Sequence, residues 1–243
     1  MISLSSRVEN YWSKRAQDFN TVRRNELENE ISNCWMEVFH HYLPANKTLE
    51  ILDIGTGTGY FAILLSKEGH SVTGIDLTKA MIEEARITAK DYHVAPTFIQ
   101  MDAQSTSFND NTFDVIVTRN LTWTLPDPQA AYKEWYRILK KGGLLLNFDA
   151  NYADNIRNQR QQDSYISSSD IYGHCGITSD LQKENDDITL SMPCSIHHRP
   201  DWDIELIRKI GFSEYSTDLN LGKKVLKDHD LTDAPLFLIQ AQK

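Results

Sequence analysis

The stretch "ILDIGTGTGYFAILL", residues 51–65, places a short β-branched run before three glycines spaced two apart, with a second apolar run directly after them. Such a pattern reads as strand, tight turn and helix. Glycines at this junction let the chain turn sharply and let a ligand approach the backbone, while the helix start offers unpaired N–H groups. The spacing is G-x-G-x-G through Gly55, Gly57 and Gly59, not the G-x-G-x-x-G of a dinucleotide fold. A purely structural turn also needs glycine, so the ligand must be read from the rest of the chain.

Working outward, the same grammar repeats. "YFAILLSKEGH" is a helix that Gly69 can close in the left-handed conformation, and "SVTGID" is the next strand. Thr78 is placed to cap "KAMIEEARITAK", "PTFIQMD" is a third strand, and "FDVIVTR" is a nearly unbroken apolar fourth, as expected where both faces of a parallel sheet are covered. Asp127 and Pro128 open "QAAYKEWYRILKKGG" as N-cap and first-turn proline, and "LLLNFD" is a fifth strand. This alternation predicts an α/β fold: a doubly wound, mostly parallel Rossmann-like sheet with helices on both faces. Upstream, Leu27, Ile31, Cys34, Trp35, Val38, Phe39 and Tyr42 recur at helical spacing until Pro44 and predict a helical cap. Beyond Ala150 the chain turns polar, with four serines between Ser164 and Ser169 and no sustained period. "RPDWDIELIRKIGF" then restores a helix and "APLFLIQAQ" a strand, so the loose region is an insertion after the fifth strand. The expected organisation is a single domain: a cap over 1–45, a cofactor-binding core over 46–150, a substrate lid over 151–199 and C-terminal helix and strands over 200–243.

Composition narrows the function classes. Of 243 residues, 40% are hydrophobic and 24% charged, the balance of an ordinary globular protein. The net charge of −9 argues against a sequence-independent grip on nucleic acid, which needs clustered Lys and Arg. No stretch reads as a signal peptide or has the length to span a bilayer, so a cytoplasmic protein without a membrane partner is expected. Cys34, Cys175 and Cys194 are too few and scattered for a disulfide framework.

Asp76 and Asp102 close the second and third strands, and Asn120 follows the fourth. Open parallel sheets bind ligands outside the carboxyl ends of their strands, and a carboxylate ending the second strand can accept both ribose hydroxyl protons. Together with "EILDIGTGTGYFAILLSKEGHSVTGIDLTKAMIEEAR", "FIQMDAQSTSFNDNTFDVIVTRN" and "WYRILKKGGLLL", these positions make the chain resemble the class I S-adenosylmethionine-dependent methyltransferases, in the small-molecule branch that includes the ubiquinone and menaquinone biosynthesis C-methyltransferases. The resemblance covers about Val8 to Ala150. It implies S-adenosyl-L-methionine as cofactor, with Gly55, Gly57 and Gly59 near its methionine part, Asp76 on the ribose, and Leu77 and Met81 flanking the adenine. It further implies Asp102 and Ala103 at the adenine edge, Asn120 at the methionine end and Asp53 supporting the loop. "VENYWSKRAQDFN" resembles that family's leading helix; Tyr11, Arg15 and Phe19 share one of its faces, and Tyr11 is the expected cofactor contact.

The activated methyl needs no protein nucleophile or metal, so the expected reaction is transfer to the N, O, S or activated carbon of a small-molecule acceptor. "TRNLTWTLPDP" offers Thr122 and Trp123 as acceptor-pocket residues, and Arg199 with Trp202 is expected to anchor the lid. If the acceptor needs a base, His174, His197 and His198 are the candidates. Cys194 and His197, three apart, lack the paired spacing of a structural zinc site, and no metal is assigned. A nicotinamide-dependent oxidoreductase and a non-catalytic S-adenosylmethionine-binding or partner-binding module are the rival readings. The aromatics of the leading helix serve a homodimer as readily as a monomer's pocket.

Overall fold

The computed structural model describes residues 3–161, 176–227 and 235–243. Seven strands, β1 (Glu50–Ile54), β2 (Ser71–Asp76), β3 (Thr97–Gln100), β4 (Phe113–Arg119), β5 (Leu139–Asp149), β6 (Ser213–Asp218) and β7 (Phe237–Gln242), form one sheet in the order β3-β2-β1-β4-β5-β7-β6. The first five pair in parallel, and β7 runs antiparallel to both β5 and β6. The chain reverses direction of winding between β1 and β4, which opens a crevice at their carboxyl ends.

Both faces of this sheet are dry, and the strand letters say why. Along β4, Val115 and Val117 join one apolar cluster while Ile116 joins the other; along β5, Leu146 and Phe148 face the first and Leu145 the second. The first face is covered by α2 (Glu30–Tyr42), α3 (Tyr60–Lys67) and α4 (Lys79–Asp91), where Trp35, Phe39, Phe61 and Phe148 meet edge to face. The second is covered by α5 (Pro128–Ile138) and α8 (Asp201–Ile210), with Tyr132 and Trp135 fully buried. The caps fall as expected: the Asp127 side chain accepts from Ala130 N at 2.9 Å, and Gly211 ends α8 at φ 116°.

Three elements differ from the sequence expectation. The boundary between the two cap helices falls later than expected: α1 (Leu4–Glu28) takes in Leu27, and the Asn29 side chain accepts from Ile31 N and starts α2. α5 ends at Ile138, and the "LKKGG" that follows it is already the start of β5, with Leu139 paired to Phe113 across a register shift. The insertion is not irregular where it is described. It holds α6 (Tyr152–Gln161), α7 (Ser179–Ser191) and a 3-10 turn over Pro193–Ile196. α7 escaped notice because it buries only Asp186, Ile188 and Thr189; the Thr178 cap and the docking of Ile188 and Met192 on Val8 and Tyr11 of α1 hold it. The short helix α9 (Leu221–Val225) precedes β7.

Candidate active site

A cavity of about 270 Å³ runs across the carboxyl ends of β2, β1 and β4 beneath α1. Its bed is the loop between β1 and α3. Asp53, 2% exposed, accepts from Thr56 Oγ1 at 2.6 Å and Ala62 N at 3.1 Å, both on the same carboxylate oxygen, Oδ2. Burial pushes this carboxyl up to about 7 against the pull of those two bonds. Asp76 spans the loop from the next strand, accepting Gly57 N on one oxygen at 3.0 Å and Thr78 N on the other at 2.8 Å. Burial raises its pKa, and the two backbone N–H groups oppose that rise.

The glycines divide the work. Gly57 borders the cavity at φ 54°, and a Cβ there would come within 3.4 Å of Phe19 across it. Gly59 does not border the cavity; at φ 87° it lets α3 pack, since a Cβ would lie 2.9 Å from Phe98 and 3.2 Å from Ala85. The cofactor expectation for Gly59 is thus replaced by a packing role. Asp53, Gly55, Asp76, Leu77, Met81, Asp102, Ala103 and Asn120 all border the cavity, as does Tyr11 from α1. Asn120 sits at φ 56°, its backbone N–H on Phe148 O at 2.7 Å and its Oδ1 buried without a partner.

On the acceptor side the expectations separate. Trp123 borders the cavity beside Tyr152, ring centroids 5.1 Å apart. Thr122 does not: it is fully buried behind Trp123, bonded to the Asn147 side chain at 3.2 Å. Arg199 is also behind the wall, 1% exposed, with guanidinium nitrogens 3.0 Å from Asp149 and 2.8 Å from Asp203. The two carboxylates outweigh desolvation and hold Arg199 charged. Neither residue is placed to touch an acceptor in the cavity, so their expected contact becomes support of its wall. His197 stacks on Trp202 at 4.3 Å and His198 pairs with Asp201 at the surface, both away from the cavity; His174 lies outside the described residues. Cys194 donates its thiol to Thr122 O at 3.3 Å, and burial pushes that thiol up to about 12. Among the described residues, no group of three or more His, Cys, Asp or Glu could hold a metal ion, and no helix is long and apolar enough to cross a membrane.

Several cavity residues went unread in the sequence: Arg23, Tyr60, Arg119 and Tyr152. Arg23 continues the 11, 15, 19 series by one more helical step, and Arg119 immediately precedes Asn120, so both signals were present in spacing.

The cavity fits a nucleoside joined to an amino acid: carboxylates and apolar side chains at the β2–β3 end, glycine backbone in the middle, aromatic and cationic groups beyond β4. That crevice lies where an open parallel sheet of this strand order takes its ligand. Residues 52–147 match the methyltransferase domain family. The chain is 30% identical over 166 residues to the ubiquinone/menaquinone biosynthesis C-methyltransferase of Ruegeria sp. (strain TM1040), covering 66% of each chain. Its fold resembles phosphoethanolamine N-methyltransferase 2 of Haemonchus contortus in complex with S-adenosylhomocysteine, TM-score 0.66 at 16% identity over 100% of this chain and 60% of that one. It also resembles a Methanococcus maripaludis protein considered an S-adenosyl-L-methionine-dependent methyltransferase, TM-score 0.65 at 20% identity over 95% and 93%. The chain belongs to the class I S-adenosyl-L-methionine-dependent methyltransferases, and S-adenosyl-L-methionine is the cofactor of that class.

Proposed function

We propose that this chain transfers a methyl group from S-adenosyl-L-methionine to a small-molecule acceptor. The observation that carries the reading is the single cavity joining Asp76 and Asp102 at one end to Asn120 and Trp123 at the other. Bound S-adenosyl-L-methionine supplies a methyl carbon activated by a sulfonium, the bonding pair remaining on sulfur when the acceptor attacks. The protein's share is placement and exclusion of water, which suits a site whose walls come from rigid strand ends. Asp76 has lone pairs to spare for the ribose hydroxyls while it still holds Gly57 and Thr78. Leu77 and Met81 flank the adenine, with Asp102 and Ala103 at its edge. Tyr11 and Arg15 close over the methionine end from α1, and Asn120 Oδ1 offers an acceptor to the amino group.

None of the described histidines borders the cavity, and His174 lies outside the described residues. The partner is a small molecule, and a cytoplasmic setting accords with the absence of a long apolar helix among the described residues. Calorimetry with S-adenosyl-L-methionine and S-adenosylhomocysteine tests the first half, where both should bind. Formation of S-adenosylhomocysteine over a panel of amines, thiols, phenols and carboxylates tests the second. Absence of binding by either compound overturns the reading.

A further inference from the structure

The two halves of α1 rest on different parts of the molecule. From Asn20 onward the helix is tied to the core: the Asn20 side chain donates to Glu84 at 2.7 Å and accepts from Thr88 Oγ1 at 3.0 Å, Arg24 pairs with Asp91, and Glu26 accepts from Arg119 of β4 at 2.7 Å. Its first turns rest on α7 instead. Val8 and Tyr11 pack on Ile188 and Met192 in an apolar cluster of their own, joined by Leu4, Trp12 and Leu181 and sharing no residue with the two clusters that cover the sheet. Arg7 adds a two-pronged pair with Glu184, at 2.9 and 3.0 Å. Both halves border the cavity, the first through Val8 and Tyr11, the second through Arg23.

α7 is not free to follow α1. Just beyond its last turn Cys194 donates to Thr122 O at 3.3 Å, and Arg199 lies 3.0 Å from Asp149, so the carboxyl end of α7 is fixed to the wall of the cavity. α1 ends at Asn29, a single extended residue at φ −117° and ψ −177° before α2. A helix that turns about such a break moves most at its far end. At about 1.5 Å per residue, Arg24 stands about 8 Å from Asn29 and Val8 about 30 Å, so one swing carries Val8 about four times as far as Arg24. The contacts with α7 are therefore the first to part, and the grip there decides whether the roof stays down.

We propose that α7 is a clasp on the cofactor: by holding Val8 and Tyr11 it keeps α1 closed over bound S-adenosyl-L-methionine, and cofactor and spent product exchange when α1 parts from α7 and turns about Asn29. The insertion then governs how long the cofactor stays, a task separate from contact with the acceptor. The inference rests on the methyl-transfer reading for the identity of the ligand beneath α1.

The test uses the full chain with Cys175→Ser, Cys34 and Cys194 being buried. Arg7→Cys with Glu184→Cys is bridged by a bis-maleimide carrying a reducible disulfide, after tritiated S-adenosylhomocysteine has bound. Release is followed on dilution into excess unlabelled compound. The link between α1 and α7 should slow release at least about tenfold relative to the same sample after reduction. A second link, between Arg24→Cys and Asp91→Cys close to the pivot, should change release by no more than about twofold. Without any link, Ile188→Ala trims the clasp at a residue that does not border the cavity and should speed release at least about threefold. Should Ile188→Ala fail to fold, the two linked proteins decide. Release unchanged by the first link, release slowed equally by both links, or release from folded Ile188→Ala at the native rate overturns the proposal. If S-adenosylhomocysteine does not bind the unlinked chain at all, it is the methyl-transfer reading that has failed, and this inference with it.

Discussion

Asp149 Oδ2 accepts the backbone N–H of Trp123 at 3.1 Å, so the carboxylate ending β5 sets the position of an indole that follows β4. The same carboxylate lies 3.0 Å from Arg199, which also grips Asp203; Asp203 in turn accepts from Tyr132 Oη at 2.7 Å, and Tyr132 Oη accepts from Asn147 Nδ2 at 2.8 Å. Everything in this chain of contacts is buried, so a break leaves a charge or donor with no water to turn to. Asp149→Ala is expected to cost about 3–5 kcal/mol of unfolding free energy, the usual penalty for orphaning one member of a buried pair. Urea unfolding reads this directly. A loss no larger than that of a surface substitution would mean that Asp203 alone suffices for Arg199.

Asp76 offers a cleaner test of the cofactor end. Its removal takes away a charge-assisted hydrogen bond worth about 1.5–3 kcal/mol, so Asp76→Ala should weaken S-adenosylhomocysteine at least about tenfold. Calorimetry is the measurement. Unchanged affinity would move the ribose elsewhere in the cavity.

Asp53 carries a pH signature. Its carboxyl titrates at about 7 when folded against 3.8 in a free chain, so between these values the folded state holds a proton that the unfolded state has released. The resulting stabilisation is complete below the lower value and is lost as pH rises through the upper one. Both of its hydrogen bonds converge on Oδ2, and an amide oxygen can accept both. Asp53→Asn should therefore flatten the stability curve across that window and exceed the native protein in stability at about pH 8. Parallel curves for the two proteins would remove Asp53 from the account.

The two glycines of the loop should fail differently. Gly59→Ala forces a methyl against Phe98 and Ala85 and is expected to cost about 1–3 kcal/mol of stability, with cofactor affinity little changed. Gly57→Ala places its methyl in the cavity opposite Phe19 and should lower cofactor affinity more than melting temperature. Thermal melts and calorimetry on both variants separate the roles, and identical profiles would refute the division.

The parallel half of the sheet was legible because each of its strands announces itself through local pattern: unbroken apolar letters, a glycine or acidic terminus, a capped helix next. The placement of Asp53, Gly57 and Asp76 along the cavity was legible for the same reason, since each lies at or just beyond a strand's carboxyl end that counting can find. β6 was not, because five of its six residues are exposed and offer no alternation. Nor could sequence tell Thr122 from Trp123, neighbours on one 3-10 turn that face opposite sides of the cavity wall. The grip of Glu26 on Arg119 spans 93 positions, and nothing local marks either residue for the other.

α1 roofs the whole cavity, yet much of what fastens it is polar. Asn20 bonds Glu84 at 2.7 Å, Arg24 pairs with Asp91, Tyr92 reaches Glu28 at 2.9 Å and Arg7 meets Glu184 at 2.9 Å. The two ion pairs among these, Arg24–Asp91 and Arg7–Glu184, are partly exposed; such pairs contribute about 0–1 kcal/mol each and are weakened as the screening length shrinks from roughly 10 Å at 0.1 M salt to about 3 Å at 1 M. The sheet beneath is indifferent to such screening. Exchange of spent for fresh cofactor should therefore quicken with ionic strength while global stability barely moves, so that turnover limited by product release would rise in brine, a dependence that stopped-flow displacement of S-adenosylhomocysteine can follow.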